Sequence, residues 1–162
     1  MKKIRRNVFE TNSSSTHSIT FSGRAQEKEP NHLLIDDDGY IHMRLGEFGW
    51  EINSYMDQYN KLSYLLTMCA ELNGIDFWCI NDAQFESSLQ ELYDCDEFQL
   101  ISAVVGEYAG CNGIKLDPCE GYIDHQSYED YSSIPDFLES NGTDIIDFVY
   151  GNVIVNTDND NH

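Results

Sequence analysis

A chain of 162 residues with 41% apolar and 12% aromatic side chains can bury a core as one domain, which excludes wholesale disorder and any dependence on a disulfide or metal for folding. Its 29 acidic residues against 9 basic ones give a formal charge of −20, a field that repels nucleic-acid backbones and anionic membranes and attracts basic surfaces. Four of the nine cations are Lys2, Lys3, Arg5 and Arg6, and from Leu62 to His162 the only basic residue is Lys115, set against 20 acids.

The first predicted element is a strand at His17–Phe21, where Ile19 and Phe21 share a face. A polar loop with Pro30 follows at residues 24–31. Next, Asp36-Asp37-Asp38-Gly39 separates the apolar runs 33–35 and 40–45, which predicts a hairpin because Gly tolerates positive φ. The three aspartates lack EF-hand spacing, since Gly39 at the sixth loop position would need an acid at Leu34.

A long helix is expected from about Ser54 to Leu72, with Asn53 or Ser54 as its cap and Asn73-Gly74 as its stop. Tyr55, Tyr59, Leu62, Leu66 and Cys69 form its apolar stripe. A second helix follows Asn81-Asp82, with Phe85, Leu89 and Leu92 inward and Glu86, Gln90, Glu91 and Asp94 outward. Phe98–Val105 reads as a buried strand, and the Gly- and Asn-rich stretch 106–121 as loops around short strands. Ser133 caps a short helix with Pro135 in its first turn, Asp144–Tyr150 forms another, and Val153–Val155 closes the chain as a strand before a polar tail at 157–162. The sum is a single α+β domain over 1–162 with a mixed or antiparallel sheet and two main helices, preceded by a basic-started segment at 1–16.

The charged start has no apolar run behind it and the longest apolar stretch, near Ala103–Val105, is too short to span a bilayer, so neither a signal peptide nor a membrane segment is expected. Five cysteines, at 69, 79, 95, 111 and 119, form no C-x-x-C pair. Their odd number fits neither a disulfide framework nor a zinc site, so reduced thiols in a cytosolic protein are expected, several of them buried.

Three stretches have the residue types for chemistry. The run Glu10-Thr-Asn-Ser13-Ser14-Ser15-Thr16-His17-Ser18 offers hydroxyls and N–H groups for a phosphate, a serine nucleophile with His17 as base, or a self-bonded turn. It has neither a Walker lysine nor a G-x-S-x-G elbow. Asp124-His125-Gln126-Ser127 places an acid and a base side by side, although strand neighbours point to opposite faces. In the tail, Asp158 and Asp160 alternate with asparagines in a pattern that suits either solvent or a divalent cation. A composite ligand or metal site from Ser13, Ser14, Ser15, His17, Asp124, His125 and Asp158 requires the chain ends to meet.

Arg6–Ser18, Gly121–Ser127 and Thr157–Asn161 together resemble a family of small proteins from phages and mobile elements of Gram-positive bacteria, carried chiefly by Phe9-Glu-Thr-Asn-Ser-Ser-Ser-Thr-His17-Ser18. That resemblance covers about 25 residues and implies an origin in which small, acidic, single-domain proteins inhibit host defence, anti-CRISPR proteins among them.

Charge, size and resemblance lead to one expectation. The protein is a non-enzymatic inhibitor in the cytoplasm of a bacterial host, without cofactor, nucleic-acid or membrane binding, that occupies the basic surface of a nuclease such as Cas9. The expected docking residues are Glu86, Glu91, Asp94, Asp96, Glu97, Glu129 and Asp130, with Trp50 as an aromatic anchor. Trp78 is expected in the core. Two alternatives are a small enzyme or phosphate- or metal-binding protein built on the serine-rich run with His17 and His125, and a phage accessory or structural protein whose acidity serves solubility.

Overall fold

The computed structural model describes residues 15–21, 28–49, 53–123 and 131–159. Strand β1 (Ser15–Phe21) forms where the alternation predicts it and pairs antiparallel with β7 (Val153–Asn159), Ile19 opposite Val155 and Phe21 opposite Val153. The expected polar tail therefore starts later: β7 runs through Asn159, and Thr157 is buried within it. On the other side of β7 lies β4 (Asn53–Tyr55), also antiparallel, giving the order β1-β7-β4.

Two further pairs are parallel. β2 (Tyr40–Met43) pairs with β5 (Gly113–Leu116), and β3 (Glu47–Phe48) with β6 (Tyr122–Ile123). Small antiparallel and parallel sheets with helices between them make this an α+β fold. The expected hairpin at Asp36–Gly39 is reduced to its turn. Gly39, at φ +85, donates to the Asp36 carbonyl at 3.0 Å, and a single bridge joins Ile35 to Ile41 before β2 takes β5 as its partner.

Helix α1 (Gln58–Leu72) starts four residues later than expected. Ser54 is a strand residue whose hydroxyl donates to Asn156 Oδ1 at 2.8 Å, and Asp57 is the cap, accepting from the Asn60 N–H at 2.9 Å. The pairing of Asn53–Tyr55 with β7 satisfies those backbone groups outside the helix. Of the expected stripe, Leu62, Leu66 and Cys69 are buried, whereas Tyr55 lies in β4 and Tyr59 is 40% exposed.

The burial of α1 goes beyond a stripe. Every residue from 61 to 70 is buried, so the helix is enclosed all round. Its polar side chains are satisfied in place: Lys61 Nζ donates to the Gly151 carbonyl at 3.0 Å, Ser63 Oγ to the Arg44 carbonyl at 2.7 Å, and Thr67 Oγ1 to the Ser63 carbonyl at 2.7 Å. Tyr64 is the aromatic hub, edge-on to Phe48 at 5.0 Å and near Phe137 and Phe148 at 6.3 and 6.4 Å.

Helix α2 (Asp82–Tyr93) begins at Asn81-Asp82 as expected, and a capping box joins Asn81 and Gln84. Phe85 and Leu92 are buried, Leu89 is half-buried, and Glu86, Gln90, Glu91 and Asp94 are exposed.

The expected strand at Phe98–Val105 is instead α3 (Asp96–Ala109), a third long helix. The run is apolar enough to fit either period, and the buried set Phe98, Ile101 and Val105 follows the helical one. Asp96 and Glu97 in the first turn and left-handed Gly110 at the end supply its boundaries. Gly106 lets α3 press on β5, since a Cβ there would lie 3.1 Å from the Cys111 carbonyl oxygen and the Gly113 nitrogen.

The two short helices match their signals. α4 (Ile134–Ser140) is capped by Ser133 with Pro135 in its first turn, and α5 (Ile145–Tyr150) by Asp144. Both pack against α1.

Leu66→Ala is expected to cost about 2–5 kcal/mol in urea unfolding, because α1 has no free side toward which the cavity can collapse. Leu34→Ala, at a position 89% exposed, is expected to stay within about 0.5 kcal/mol.

Candidate functional site

The α2–α3 corner collects carboxylates. α2 ends at Tyr93, α3 begins at Asp96, and Asp94 and Cys95 form the joint. A groove of about 460 Å³ opens there, lined by Asn73, Ile75, Glu91, Asp94, Cys95, Asp96 and Glu97. Four of the expected docking residues thus share one opening, lined by no Lys or Arg among the described residues. Glu86 is exposed on α2 and does not line this groove. Trp50, Glu129 and Asp130 lie outside the described residues.

Helix ends of both signs meet at this groove, and its two C-terminal ends lack the basic residues that would offset them. No helix among the described residues has a basic residue in its last turn, where a cation would neutralise the macrodipole. The C-terminal ends of α1 and α2 both reach the groove, through Asn73 and Asp94. Glu71 and Glu91 place acids in those last turns, against the usual preference. α3 contributes its N-terminal end, already occupied by Asp96 and Glu97.

Glu97 is held from two sides. One oxygen accepts from Asn73 Nδ2 at 2.8 Å, and the other accepts from the backbone N–H of Ile134. The groove wall is therefore tied to the ends of both α1 and α4. Asp94 accepts from Gln90 Nε2 at 3.1 Å.

The cations of the described residues are placed elsewhere. Lys28 pairs with Asp147 at 3.3 Å, and Lys115 lies 4.1 Å over the Tyr40 ring. Lys61 reaches Gly151 at the C-terminal end of α5, and burial pulls its pKa down from 10.5 to about 8. Arg44 lines a separate cavity of about 670 Å³ with Glu47, Asp82 and Glu120.

The chain ends meet as the composite site requires of them, in backbone register only. Ser15 pairs with Asn159, Thr16 with Asp158 and His17 with Thr157, which puts His17 and Asp158 one step apart in the ladder. Ser13, Ser14, Asp124 and His125 lie outside the described residues. Among the described residues no group of three His, Cys, Asp or Glu is placed to hold a metal ion, and no helix is long and apolar enough to cross a membrane. Trp78, expected in the core, is half-buried with its ring 5.3 Å from Tyr122. Of the cysteines, Cys69 is buried and its thiol pKa is raised by that burial, while Cys79 is exposed.

One constellation was not anticipated from the sequence. His42 Nδ1 lies 2.7 Å from Asp117 Oδ1 and Nε2 2.5 Å from Asp36 Oδ2. Only the imidazolium can donate from both nitrogens, so the two carboxylates favour the protonated ring. It ties the Asp36–Gly39 turn to the end of β5. Asp36 and His42 flank one predicted turn and were within reach of sequence reasoning; Asp117 arrives through the parallel β2–β5 pairing, which has no local signal.

No protein-family model, curated protein or solved structure matches the chain.

Hydrogen bonding to Asp117 and then to Asp36 raises the His42 pKa above its ordinary 6.5. A raised folded-state pKa adds stability that is fully present below about 6.5 and lost as pH climbs through the folded value. In an NMR titration, His42 is expected to titrate above 6.5, and Asp117→Asn to lower that value more than Asp36→Asn.

Proposed function

We propose that the protein is a docking protein that seats its carboxylate-lined α2–α3 groove on a basic macromolecular surface. We further propose that this surface belongs to a host defence nuclease such as Cas9, which the protein inhibits without catalysis. The observation that carries the reading is the convergence of Glu91, Asp94, Asp96 and Glu97 on one groove with the C-terminal ends of two helices and, among the described residues, no cation lining it. A lysine or arginine from a partner entering there meets both side-chain charge and helix dipole.

The rest of the chain supports an external cation. After Leu62 the sequence has one basic residue, Lys115 on β5, and it lies over the Tyr40 ring of β2. A charge of −20 also speeds encounter with a basic channel and disfavours nucleic acid as the partner. The choice of a nuclease follows from the phage-protein resemblance of the serine-rich start.

The test is binding to purified Cas9 across a salt series, with the wild type beside the triple variant Glu91→Gln, Asp94→Asn, Asp96→Asn. Affinity is expected to fall as salt rises, and the variant to bind at least about tenfold more weakly. Binding indifferent to both changes contradicts the docking face. Capture on a poly-lysine surface without any on Cas9 removes the nuclease and keeps the face.

A further inference from the structure

Beside the acidic groove runs a second opening of different chemistry. It measures about 380 Å³, lies between α3 and the α4–α5 pair, and is walled by Leu100, Val104, Ile134, Leu138, Ile145 and Ile146. Leu100 is 45% exposed, and Val104 and Ile146 are half-buried. The volume falls within the range of roughly 300–1,000 Å³ over which pockets take up ligand groups. Glu139 and Asp144 also line it, both exposed, and no basic residue among the described ones does.

The two openings share a wall. Glu97 lines the acidic groove, and Leu100 lies less than one helical turn further along α3. The Glu97 carboxylate also accepts from Ile134, which lines the apolar trough. A single surface along α3 thus passes from carboxylates to apolar side chains and back to carboxylates at Glu139 and Asp144.

We infer that this composite surface receives an amphipathic helix of a partner protein, its apolar face in the α3–α5 trough and its lysines or arginines against the flanking acids. The inference rests on the docking reading above and specifies the partner's chemistry. Charge complementarity selects the occupant. An acid-rimmed trough on a chain of charge −20 repels an anionic lipid surface and disfavours a second copy of itself. The trough is walled by helices, which offer no strand edge for main-chain pairing, so side-chain anchors at helical spacing are the mode that fits.

The probe is a synthetic leucine/lysine peptide with leucines at helical spacing, titrated into the isotope-labelled full chain. A peptide with glutamate for lysine is the control. Resonance shifts are expected to cluster on α3, α4 and α5, with no binding of the glutamate peptide. Leu100→Asp, a change at an exposed position, is expected to weaken the lysine peptide at least about tenfold while circular dichroism is unchanged. Equal binding by Leu100→Asp, or shifts that map away from the trough, overturns the inference; if that binding still weakens with salt, the charge reading survives it. Binding of neither peptide overturns the inference, and the Cas9 salt series then decides the docking reading. Self-association of the chain that Leu100→Asp abolishes assigns the trough to a second copy and overturns the partner helix.

Discussion

The enclosure of α1 is the constraint on which the rest of the structure depends. A helix buried on every side cannot fold against one partner, so strands, short helices and loops must close around it together. That explains why its polar residues are spent on internal bonds. Ser63 holds the Arg44 carbonyl, Thr67 accepts from the Gly46 N–H at 3.1 Å, and Lys61 holds the end of α5. Each bond fixes a neighbouring segment to the helix. Tyr64 does the same through ring contacts with β3, α4 and α5.

With its interior so committed, the described part of the chain carries its acids at exposed or half-buried positions, several of them at helix ends. Isolated surface carboxylates cost little, but acids in C-terminal helix turns oppose the macrodipole. Glu71, Glu91, Glu107 and Glu139 all occupy such turns, with no basic residue beside them in the same turn. The α5 end differs, because buried Lys61 attends it. The α2–α3 groove gathers the uncompensated ends of α1 and α2 into one place. In the proposed function, an external cation relieves that arrangement. The apolar trough beside it extends the same surface from charge to shape.

Much of this was legible locally. Helix starts carried the most information: Asn81-Asp82, Ser133 with Pro135, and Asp144 each marked one that the structure keeps. The α+β class followed from the alternation of such signals. Errors arose where tertiary pairing overrode a local pattern. Ser54 has the chemistry of a cap, yet β7 recruits it as a strand residue. The run Phe98–Val105 satisfies both periods, and only Asp96 and Gly110 at its borders argue for a helix. The acidic groove was partly visible, since Glu91, Asp94, Asp96 and Glu97 lie within seven positions of one another. The approach of Asn73 and the α1 end was not, because it depends on how α1 packs. Nor was the apolar trough, whose walls come from three helices, one of them read as a strand.

The central claim is that the groove carries negative charge that no cation among the described residues neutralises. The most direct measurement is unfolding free energy against sodium chloride concentration, for the wild type and for Glu91→Gln with Asp94→Asn. Wild-type stability should rise with salt, and the double variant should be the more stable protein at low salt with a shallower dependence. A wild-type stability that is flat or falls with salt, or a variant that is less stable at low salt, would contradict the account.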